Sequence, residues 1–299
     1  MCMDTLNLEY LLHHPFPLVC LAGPTASGKS NLALKIAKKY NGVIINADSR
    51  QVYQGLPLLT AQPSLQDIQE VPHELYQYVP NKNPERTVMQ WIVDVVQKVN
   101  ECHRSGVLPI LVGGSGFYIH ALESGLSNIP LVPRIQEEDV LAKYPNHSLY
   151  EILEKVDKCS AKKIMIQDKQ RILRALSIYF FTEKPLSFWQ TFQKNTHLSQ
   201  CLWYKIFIQV EKTLLKQRIQ ARFHLACSKG LYEEISNFPL IPDSPLSRSI
   251  GIKALKFSQH LGYFGVEAET MFLIETWRYA KRQRTWFQKY FIPNLTIQL

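Results

Sequence analysis

Short hydrophobic runs alternate with amphipathic segments in the N-terminal part of the chain. The runs at 17–22, 42–47 and 107–112 predict buried strands, and the hydrophobic spacing at 31–39 and 87–104 predicts helices between them. Strands that alternate with helices form βαβ units, in which the strands run parallel and ligands bind at their C-terminal ends. We therefore expect a parallel α/β sheet whose functional residues follow the strands.

The pattern changes character between residues 129 and 196. Prolines interrupt the start of this region, and charged helical stretches follow at 149–156 and 161–180. A strand-like run at 202–210 then resumes the α/β pattern, and mostly helical segments occupy 211–291. The change indicates a helical insertion within a parallel-sheet domain.

The chain of 299 residues, 46% of them hydrophobic, suits one large or two modest domains with a buried core. We predict three segments: a first part of the core at 1–128, the helical insertion at 129–196, and a second part of the core, with a basic C-terminal helix, at 197–299. No internal repeat or low-complexity tract changes this division.

The net charge of +9 and a pI near 9.2 make the chain more basic than an enzyme of small metabolites requires. Such an excess favours a polyanionic partner, most simply a nucleic acid. A basic protein that is merely soluble is the alternative that composition leaves open.

The six cysteines are scattered and form no C-x-x-C pair, which argues against a zinc ribbon and against a disulfide scaffold. The N-terminus lacks the basic and apolar regions of a signal peptide, and no apolar stretch is long enough to span a bilayer. We expect reduced thiols in a soluble, cytoplasmic protein.

Residues 23–30 read GPTASGKS, a full match to the phosphate-binding pattern G-x-x-x-x-G-K-[ST], between the first predicted strand and helix. In that context the backbone N–H groups of the loop and of the helix N-terminus surround a phosphate. Lys29 would place a positive charge at the outer phosphate, and the Ser30 hydroxyl would ligate Mg²⁺. The alternative is a glycine-rich turn with an incidental lysine.

Asp48 follows the second predicted strand and is the only carboxylate well placed at the ends of the first three strands. Nucleotide hydrolases with such a loop normally place an acid after a buried strand to hold Mg²⁺ or to orient water. Here the third strand ends in Gly113 and Gly114 instead. A carboxylate beside a phosphate site can serve Mg²⁺ or act as a general base. Capping of a following helix is the alternative for Asp48.

The glycine-rich segment GGSGFY at 113–118 allows close approach of the backbone and offers a hydroxyl group. It is equally consistent with a tight turn and with a substrate contact.

Two segments concentrate basic side chains on one helix face. The first face, in the C-terminal segment, comprises Arg278, Lys281, Arg282 and Lys289, and the second, in the insertion, comprises Lys169, Gln170, Arg171 and Arg174. Such faces suit a phosphate backbone, and the alternative is that both are ordinary solvated helix faces. Two of them in separate regions favour a polyanion bound by both.

Together these motifs resemble the tRNA dimethylallyltransferase (isopentenyl-tRNA transferase) family. The resemblance rests on GPTASGKS (23–30), DSRQVY (48–53), TAQP (60–63), PH (72–73), GGSGFY (113–118), QRILRAL (170–176), GL with following acids (230–234), R-x-x-G (248–251) and YAKRQ-x-TWF (279–287). These pieces cover nearly the whole chain, in order. The chain has no C-terminal zinc finger, which predicts the shorter, bacterial-type form.

The resemblance implies transfer of a dimethylallyl group from dimethylallyl diphosphate to N6 of adenosine 37, which follows the anticodon in tRNAs that read codons beginning with U. It implies a P-loop, kinase-like parallel-sheet core, with a helical insertion that helps to clamp the anticodon stem-loop, and Mg²⁺ as cofactor. A monomer without membrane contact is expected. The loop would hold a diphosphate rather than a nucleotide, which accounts for the missing hydrolase acid.

The resemblance also implies roles for individual residues. Asp48 would be the general base, Thr60 a hydroxyl near the reacting centre, and Arg248 a neutralising group for the leaving diphosphate. The diphosphate would be bound by Gly23, Thr25, Ala26, Ser27, Gly28, Lys29 and Ser30. The tRNA would be contacted by Asp48, Ser49, Arg50, Gln51, Ser115, Arg134, Gln170, Arg171, Arg174, Lys281, Arg282 and Gln283. Ser30 would ligate Mg²⁺.

The chain departs from the family pattern at several positions. Leu59 stands where the pattern has Gly, Gln62 where it has Lys and Gln77 where it has Asp. Leu59 and Gln77 predict an altered geometry around Thr60, with consequences for rate or for substrate choice.

Two other functions use some of the same residues. A small-molecule or nucleoside kinase would bind ATP at residues 23–30 and would have an acidic or Arg-rich lid. A P-loop RNA-binding protein without transferase activity would keep the basic faces but would not need Asp48.

Overall fold

The computed structural model describes residues 7–82, 86–192, 196–239, 241, 244–260 and 265–299. Its strands are β1 Pro17–Ala22, β2 Gly42–Asn46, β3 His73–Glu74, β4 Leu108–Gly113, β5 Leu202–Gln209 and β6 Leu295–Gln298. Its helices are α1 Glu9–Leu12, α2 Lys29–Tyr40, α3 Pro57–Thr60, α4 Leu65–Glu70, α5 Val88–Arg104, α6 Gly116–Ser124, α7 Glu137–Lys143, α8 Leu149–Val156, α9 Lys158–Ala161, α10 Lys169–Thr182, α11 Leu186–Trp189, α12 Lys212–Ser228, α13 Leu231–Asn237, α14 Ile252–His260 and α15 Val266–Tyr290.

The strands form one parallel sheet in the order β3-β2-β4-β1-β5-β6. β1 lies in the middle, and Ala22 at its end is in register with Gly113 of β4 and Phe207 of β5. Asn46 at the end of β2 pairs with Val112. The turns after β1, β2 and β4 therefore leave the same edge of the sheet, and the predicted parallel α/β fold is confirmed.

The core of the sheet consists of the aliphatic side chains that its strands direct at the helices. Val19 and Leu21 of β1 and Ile110 of β4 are fully buried and pack with Ile36 of α2. On α5, the buried Trp91 donates its indole N–H to the carbonyl oxygen of Asn46 at 3.1 Å. This packing fixes the strand ends from which the functional turns emerge.

The chain forms two compact units, Met1–Glu123 with Leu198–Leu299, and Ser124–His197. The second unit is helical and has its own core, which includes Leu153, Ile172 and Leu176.

The helix predicted at 161–180 is confirmed only in its second part, because α9 ends at Ala161 and α10 begins at Lys169. Asp157 accepts the backbone N–H of Ser160 at the start of α9. Asp168 accepts the backbone N–H of Arg171 and begins α10. The helix therefore starts at the cap that Asp168 provides and not at residue 161.

The longest described helix, α15, is amphipathic and packs one face onto the rest of the first unit. Its buried residues follow helical spacing: Ala268, Phe272, Thr276, Ala280, Gln283 and Phe287. Charged side chains occupy much of its other face. In the part of the chain that the structure describes, no helix is long and apolar enough to cross a membrane.

Candidate active site

A cleft of about 1030 Å³ opens at the C-terminal edge of the sheet, within the first unit. Its basic lining residues are Lys29, Lys35, Arg50, Arg218, Arg222, Arg248 and Arg282. Asp48 is the single acidic residue among the described residues that line it. The same cleft has apolar surface from Leu59, Phe272 and Tyr279. A cleft with this charge attracts anions, and its apolar wall can hold a hydrocarbon group beside them.

The loop 23–30 connects β1 to α2 in the conformation that a phosphate cradle needs. Gly28 has φ of 93° in the left-handed region, and α2 begins directly after it at Lys29. Ala26 also has a positive φ, of 59°. The first N–H groups of a helix have no partner within the helix, so the start of α2 provides donors for an anion in the cleft.

Lys29 is the first residue of α2, and its side chain reaches back to the start of this loop. Its ammonium group donates hydrogen bonds to the carbonyl oxygens of Gly23 at 2.9 Å and Pro24 at 2.7 Å. Burial lowers the pKa of Lys29 to about 8, against the opposing charge of Asp48 and with a further lowering by Arg222. A phosphate anion in the cleft would favour the charged ammonium and would raise this pKa again.

Two arginines that the sequence did not single out hold the loop from α12. Arg222 donates from Nη1 to Oγ1 of Thr25 at 2.6 Å, and Arg218 donates from Nη1 to the carbonyl oxygen of Ser27 at 3.1 Å. Burial lowers the pKa of Arg222, and the charge of Asp48 opposes this effect. Arg218 and Arg222 are four residues apart and therefore lie on one helix face. This spacing is the signal in the sequence that could have indicated a second pair of cations beside the loop.

Asp48 lies at the end of β2 on the cleft wall. Its backbone N–H donates to Oδ1 of Asn46 at 2.8 Å, and its own Oδ1 accepts the backbone N–H of Arg50 at 2.9 Å. The residues after it form a turn, not a helix, so its carboxylate closes a local turn and the helix-capping alternative is wrong. The first bond fixes the backbone of Asp48, and the second orients its carboxylate.

The glycine-rich segment after β4 packs against the turn that carries Asp48. Ser115 accepts the backbone N–H of Ser49 with its Oγ at 3.0 Å. A Cβ at Gly113 would overlap the backbone of Ala47, so glycine is required for this approach. Ser115, a predicted tRNA contact, is not among the residues that line the cleft. Its hydroxyl supports the turn that follows Asp48.

The short helix α3, which ends at Thr60, is held at both ends. Glu234 of α13 accepts the backbone N–H groups of Leu58 at 2.8 Å and Leu59 at 2.9 Å. At the other end, Nε2 of Gln51 donates to the carbonyl oxygens of Thr60 at 2.8 Å and Ala61 at 2.9 Å. The turn with Thr60 is therefore anchored to α13 and to the segment that follows Asp48.

We expect Glu234→Gln to lower the free energy of unfolding by about 1–2 kcal/mol, because an amide can accept only one of the two N–H bonds well and turns its own N–H₂ toward the second. Burial raises the pKa of Glu234, and the two N–H bonds oppose that effect. Urea denaturation measures the change. The neighbouring Glu233 is exposed, and Glu233→Gln is the matched control. If both variants lost the same free energy of unfolding, Glu234 would have no special role in anchoring α3.

Of the predicted departures from the family pattern, Leu59 lies in this turn, and Gln77 contacts Gln51, which holds the turn. Leu59 is buried, 4% exposed, and contributes its side chain to the cleft wall. Gln77 has φ of 49° and donates its backbone N–H to the carbonyl oxygen of Gln51 at 3.0 Å. The Thr60 hydroxyl donates to the carbonyl oxygen of Leu56 at 2.8 Å. Hydrogen bonds with Glu234 and Gln51 thus hold the Thr60 region.

The remaining predicted residues fall into three groups. Arg248 and Arg282 line the cleft, and Arg50 donates from Nη1 to the carbonyl oxygen of Pro245, just before the 3-10 turn that contains Arg248. Gly23 lies buried under the loop, where its carbonyl accepts from Lys29. The others outside the cleft lining are exposed: Lys281 on α15 and, in the second unit, Arg134, Gln170, Arg171 and Arg174.

Gln283, a predicted tRNA contact, is only 6% exposed. Its Oε1 accepts the backbone N–H of Thr25 at 2.8 Å, and its Nε2 donates to the carbonyl oxygen of Gly114 at 2.9 Å. Both ends of its amide are thus used within the protein.

Comparison with known proteins identifies relatives of this chain. The model of the family described as IPP transferase matches residues 51–290. A tRNA dimethylallyltransferase of Bartonella henselae is 40% identical over 282 residues, which cover 92% of this chain and 96% of that protein.

Two solved structures share the fold. The tRNA isopentenylpyrophosphate transferase of Bacillus halodurans has 27% identity and a TM-score of 0.66, covering 95% of this chain and 90% of that one. A eukaryotic dimethylallyltransferase acting on tRNA has 25% identity and a TM-score of 0.70, covering 91% of this chain and 69% of that one. The resemblance inferred from the motifs is confirmed, and the chain belongs to the IPP transferase family.

Proposed function

We propose that this protein transfers a dimethylallyl group from dimethylallyl diphosphate to N6 of adenosine 37, beside the anticodon of tRNAs that read codons beginning with U, and releases diphosphate. One observation carries the proposal: a single basic cleft combines a phosphate-binding loop, one carboxylate and an apolar wall. The relatives named tRNA dimethylallyltransferase support the reaction class.

The reaction joins two substrates that enter the same cleft. The N6 lone pair of the adenine attacks the first carbon of the dimethylallyl group, and the bond between that carbon and the diphosphate oxygen breaks. The electron pair of that bond leaves with the diphosphate, and Asp48 takes the proton that N6 loses. The hydrogen bond from the backbone N–H of Arg50 orients the Asp48 carboxylate for this step.

The leaving diphosphate is held by the loop and by cations around it. The N–H groups at the start of α2 and the Lys29 ammonium bind it, together with Arg248 and Arg222 at the cleft wall. Arg218 and Arg222 also support the loop from outside through Ser27 and Thr25. In this proposal these groups neutralise the negative charge that increases as the bond to carbon breaks.

The dimethylallyl tail occupies the apolar part of the cleft. Leu59 lies beside Thr60, and Phe272 and Tyr279 reach the cleft from α15. Burial of the tail excludes water from an allylic carbon with cationic character, which protects it from hydrolysis. The adenine has to leave its stack in the anticodon loop to reach this carbon.

Mg²⁺ fits the groups that the cleft offers. Ser30 lies in the first turn of α2 and lines the cleft, so its hydroxyl is a hard oxygen ligand beside the phosphate site. No cluster of three or more His, Cys, Asp or Glu side chains that could hold a metal occurs among the described residues. A protein that supplies so few ligands suits Mg²⁺, which keeps waters and binds through substrate phosphates. Bound Mg²⁺ would supply neutralisation of the diphosphate charge.

Binding of dimethylallyl diphosphate and of ATP distinguishes the proposed transferase from a kinase. In calorimetry with Mg²⁺, we expect dimethylallyl diphosphate to bind, and its labelled dimethylallyl group to appear in tRNA after incubation with the protein. ATP should neither bind with comparable affinity nor be consumed. Tight ATP binding with phosphate transfer, and no label in tRNA, would favour the kinase instead.

Each unit presents an exposed basic face that suits the tRNA backbone. On α15, Arg278, Lys281, Arg282 and Lys289 are all exposed. On α10 of the second unit, Lys169, Arg171 and Arg174 are exposed. Burial and the nearby positive charge of Arg134 lower the pKa of Arg174. Two guanidinium groups this close favour an anion between them, so we assign the second unit to binding of the anticodon stem-loop.

We expect Arg282→Ala and Arg171→Ala each to weaken tRNA binding and to reduce the slope of log affinity against log salt by about one unit, because each removes one phosphate contact. Binding of dimethylallyl diphosphate should survive Arg171→Ala unchanged. Arg104→Ala is the matched control, because Arg104 is exposed at the end of α5, at the sheet edge opposite the cleft. Wild-type salt slopes in both variants would make these faces ordinary solvated helices.

A further inference from the structure

Gln283 joins two segments of the cleft that are far apart in the sequence. Its amide oxygen accepts the N–H of Thr25 in the loop 23–30, and its amide nitrogen donates to the carbonyl of Gly114 after β4. Both distances, 2.8 and 2.9 Å, are those of good hydrogen bonds. The side chain therefore spans the gap between the ends of β1 and β4.

The glycine-rich segment 113–116 leaves room for this contact. A Cβ at Gly114 would overlap the side-chain amide of Gln283, and a Cβ at Gly116 would overlap the ring of Trp286, one helical turn further along α15. Glycines at both positions let α15 approach the backbone of the turn directly. From the sequence, these glycines were consistent with a tight turn or with a substrate contact. In the structure they also allow α15 to pack closely on the turn.

The segment that Gln283 holds also holds the general base. Ser115, directly after Gly114, accepts the N–H of Ser49, directly after Asp48. The backbone N–H of Ser115 in turn donates to the carbonyl oxygen of Ala47 at 3.3 Å. A continuous set of hydrogen bonds therefore runs from the diphosphate loop through Gln283 to the turn that carries Asp48.

Gln283 borders the cleft, but both ends of its amide are bonded within the protein. We infer that it is a positioning residue, which sets the diphosphate-binding loop at a fixed distance from the Asp48 turn and makes no hydrogen bond to tRNA or donor. The inference rests on the proposed function, since it assigns roles to the two segments that Gln283 joins. A displacement of about 1 Å between reacting groups is enough to lower a rate strongly. The same helix carries Lys281 and Arg282 on its exposed side, so the residues that face the tRNA and the one that holds the loop are adjacent.

The first test replaces Gln283 by an apolar side chain of similar length. We expect Gln283→Met to weaken binding of inorganic diphosphate about ten-fold, because Thr25 and Gly114 lose their common partner. The donor KM should rise and kcat should fall, while the dissociation constant for tRNA stays at the wild-type value. Gln288, exposed on the same helix, gives the control Gln288→Met, which should change none of these quantities.

The second test uses Gln283→Glu and a pH series. A protonated carboxyl can accept from Thr25 and donate to Gly114, as the amide does, whereas a carboxylate cannot donate and faces the Gly114 carbonyl. Burial raises the pKa of such a carboxyl, whereas the positive charges of Arg50 and Arg282, which act on the adjacent Tyr279, lower it. Tyr279 contacts Gln283, and its pKa is raised by burial and by Asp48, so it stays neutral through the series. Relative to wild type at each pH, the loss of diphosphate binding in Q283E should be smaller at about pH 6 than at about pH 8.

The outcomes separate this inference from the proposed function. If wild type binds no diphosphate, the proposed function fails. If wild type binds diphosphate and Q283M binds it equally well, the positioning role fails. If Q283M loses only its affinity for tRNA, Gln283 is a tRNA contact after all. If Q283M does not fold, the pH dependence of Q283E decides: recovery at low pH supports the inference, and an equal defect at both pH values contradicts it.

Discussion

Replacing Asp48 by asparagine is expected to lower the turnover number for tRNA prenylation by about 10²-fold or more, the range for loss of a general base. An asparagine side chain cannot take the proton from the attacking N6 amine. Binding of both substrates should be nearly unchanged, because the shape of the cleft is preserved. Single-turnover kinetics with preformed enzyme–tRNA complex measures the chemical step separately from binding.

The structure explains why this substitution leaves the fold intact. Oδ1 of Asp48 accepts the N–H of Arg50 at 2.9 Å, and the amide oxygen of asparagine can accept the same bond. Asp139, exposed at the start of α7, gives the matched control Asp139→Asn, which should keep the wild-type rate. Near-normal turnover in D48N would leave Asp48 as a residue that only closes its turn.

Lys29→Ala is the second change with a large expected effect. We expect about 10²-fold weaker binding of dimethylallyl diphosphate, because a charge-assisted contact to a phosphate is lost from a partly buried site. Binding of tRNA should survive, because Lys29 lies within the loop and faces the leaving group. Calorimetric titration with each substrate separates the two effects, and equal loss of both would contradict the assignment.

The lowered pKa of Lys29 allows a second test of its role, in which the side chain is not truncated. Because this pKa is about 8 and a bound anion raises it, binding of diphosphate takes up a proton above that pH. Donor affinity should therefore fall as the pH rises above about 8. Lys29→Arg should remove this dependence, since arginine stays charged. Lys38→Ala, on the exposed side of the same helix, is the control and should keep the wild-type profile.

Local sequence patterns were enough to predict the central strands and the loop between β1 and α2. They placed Asp48 at the end of β2, because hydrophobic runs bounded by polar residues define strand ends. They missed the edge strands β3 His73–Glu74 and β6 Leu295–Gln298, which are too short to establish a period. They also started α10 too early, at 161, because the turn between α9 and α10 carries helix-compatible residues.

The supports of the site could not be predicted, because their partners are distant in the sequence. Glu234 holds the N–H groups of Leu58 and Leu59 across more than 170 residues, and Arg222 reaches Thr25 across 197. Gln283 was expected to contact tRNA because it lies in the YAKRQ-x-TWF segment of the family resemblance. Its burial depends on how α15 packs on the turn after β4, which no local pattern encodes.

The most direct test of the proposed function is mass spectrometry of nucleosides from an unmodified tRNA that reads codons beginning with U. After incubation with the protein, Mg²⁺ and dimethylallyl diphosphate, the digest should contain N6-dimethylallyl-adenosine, and fragment mapping should place it at position 37 alone. The D48N and Lys29→Ala variants should yield far less in the same time. Adenosine that stays unmodified with the wild-type protein, while donor and tRNA both bind, would contradict the proposed transfer.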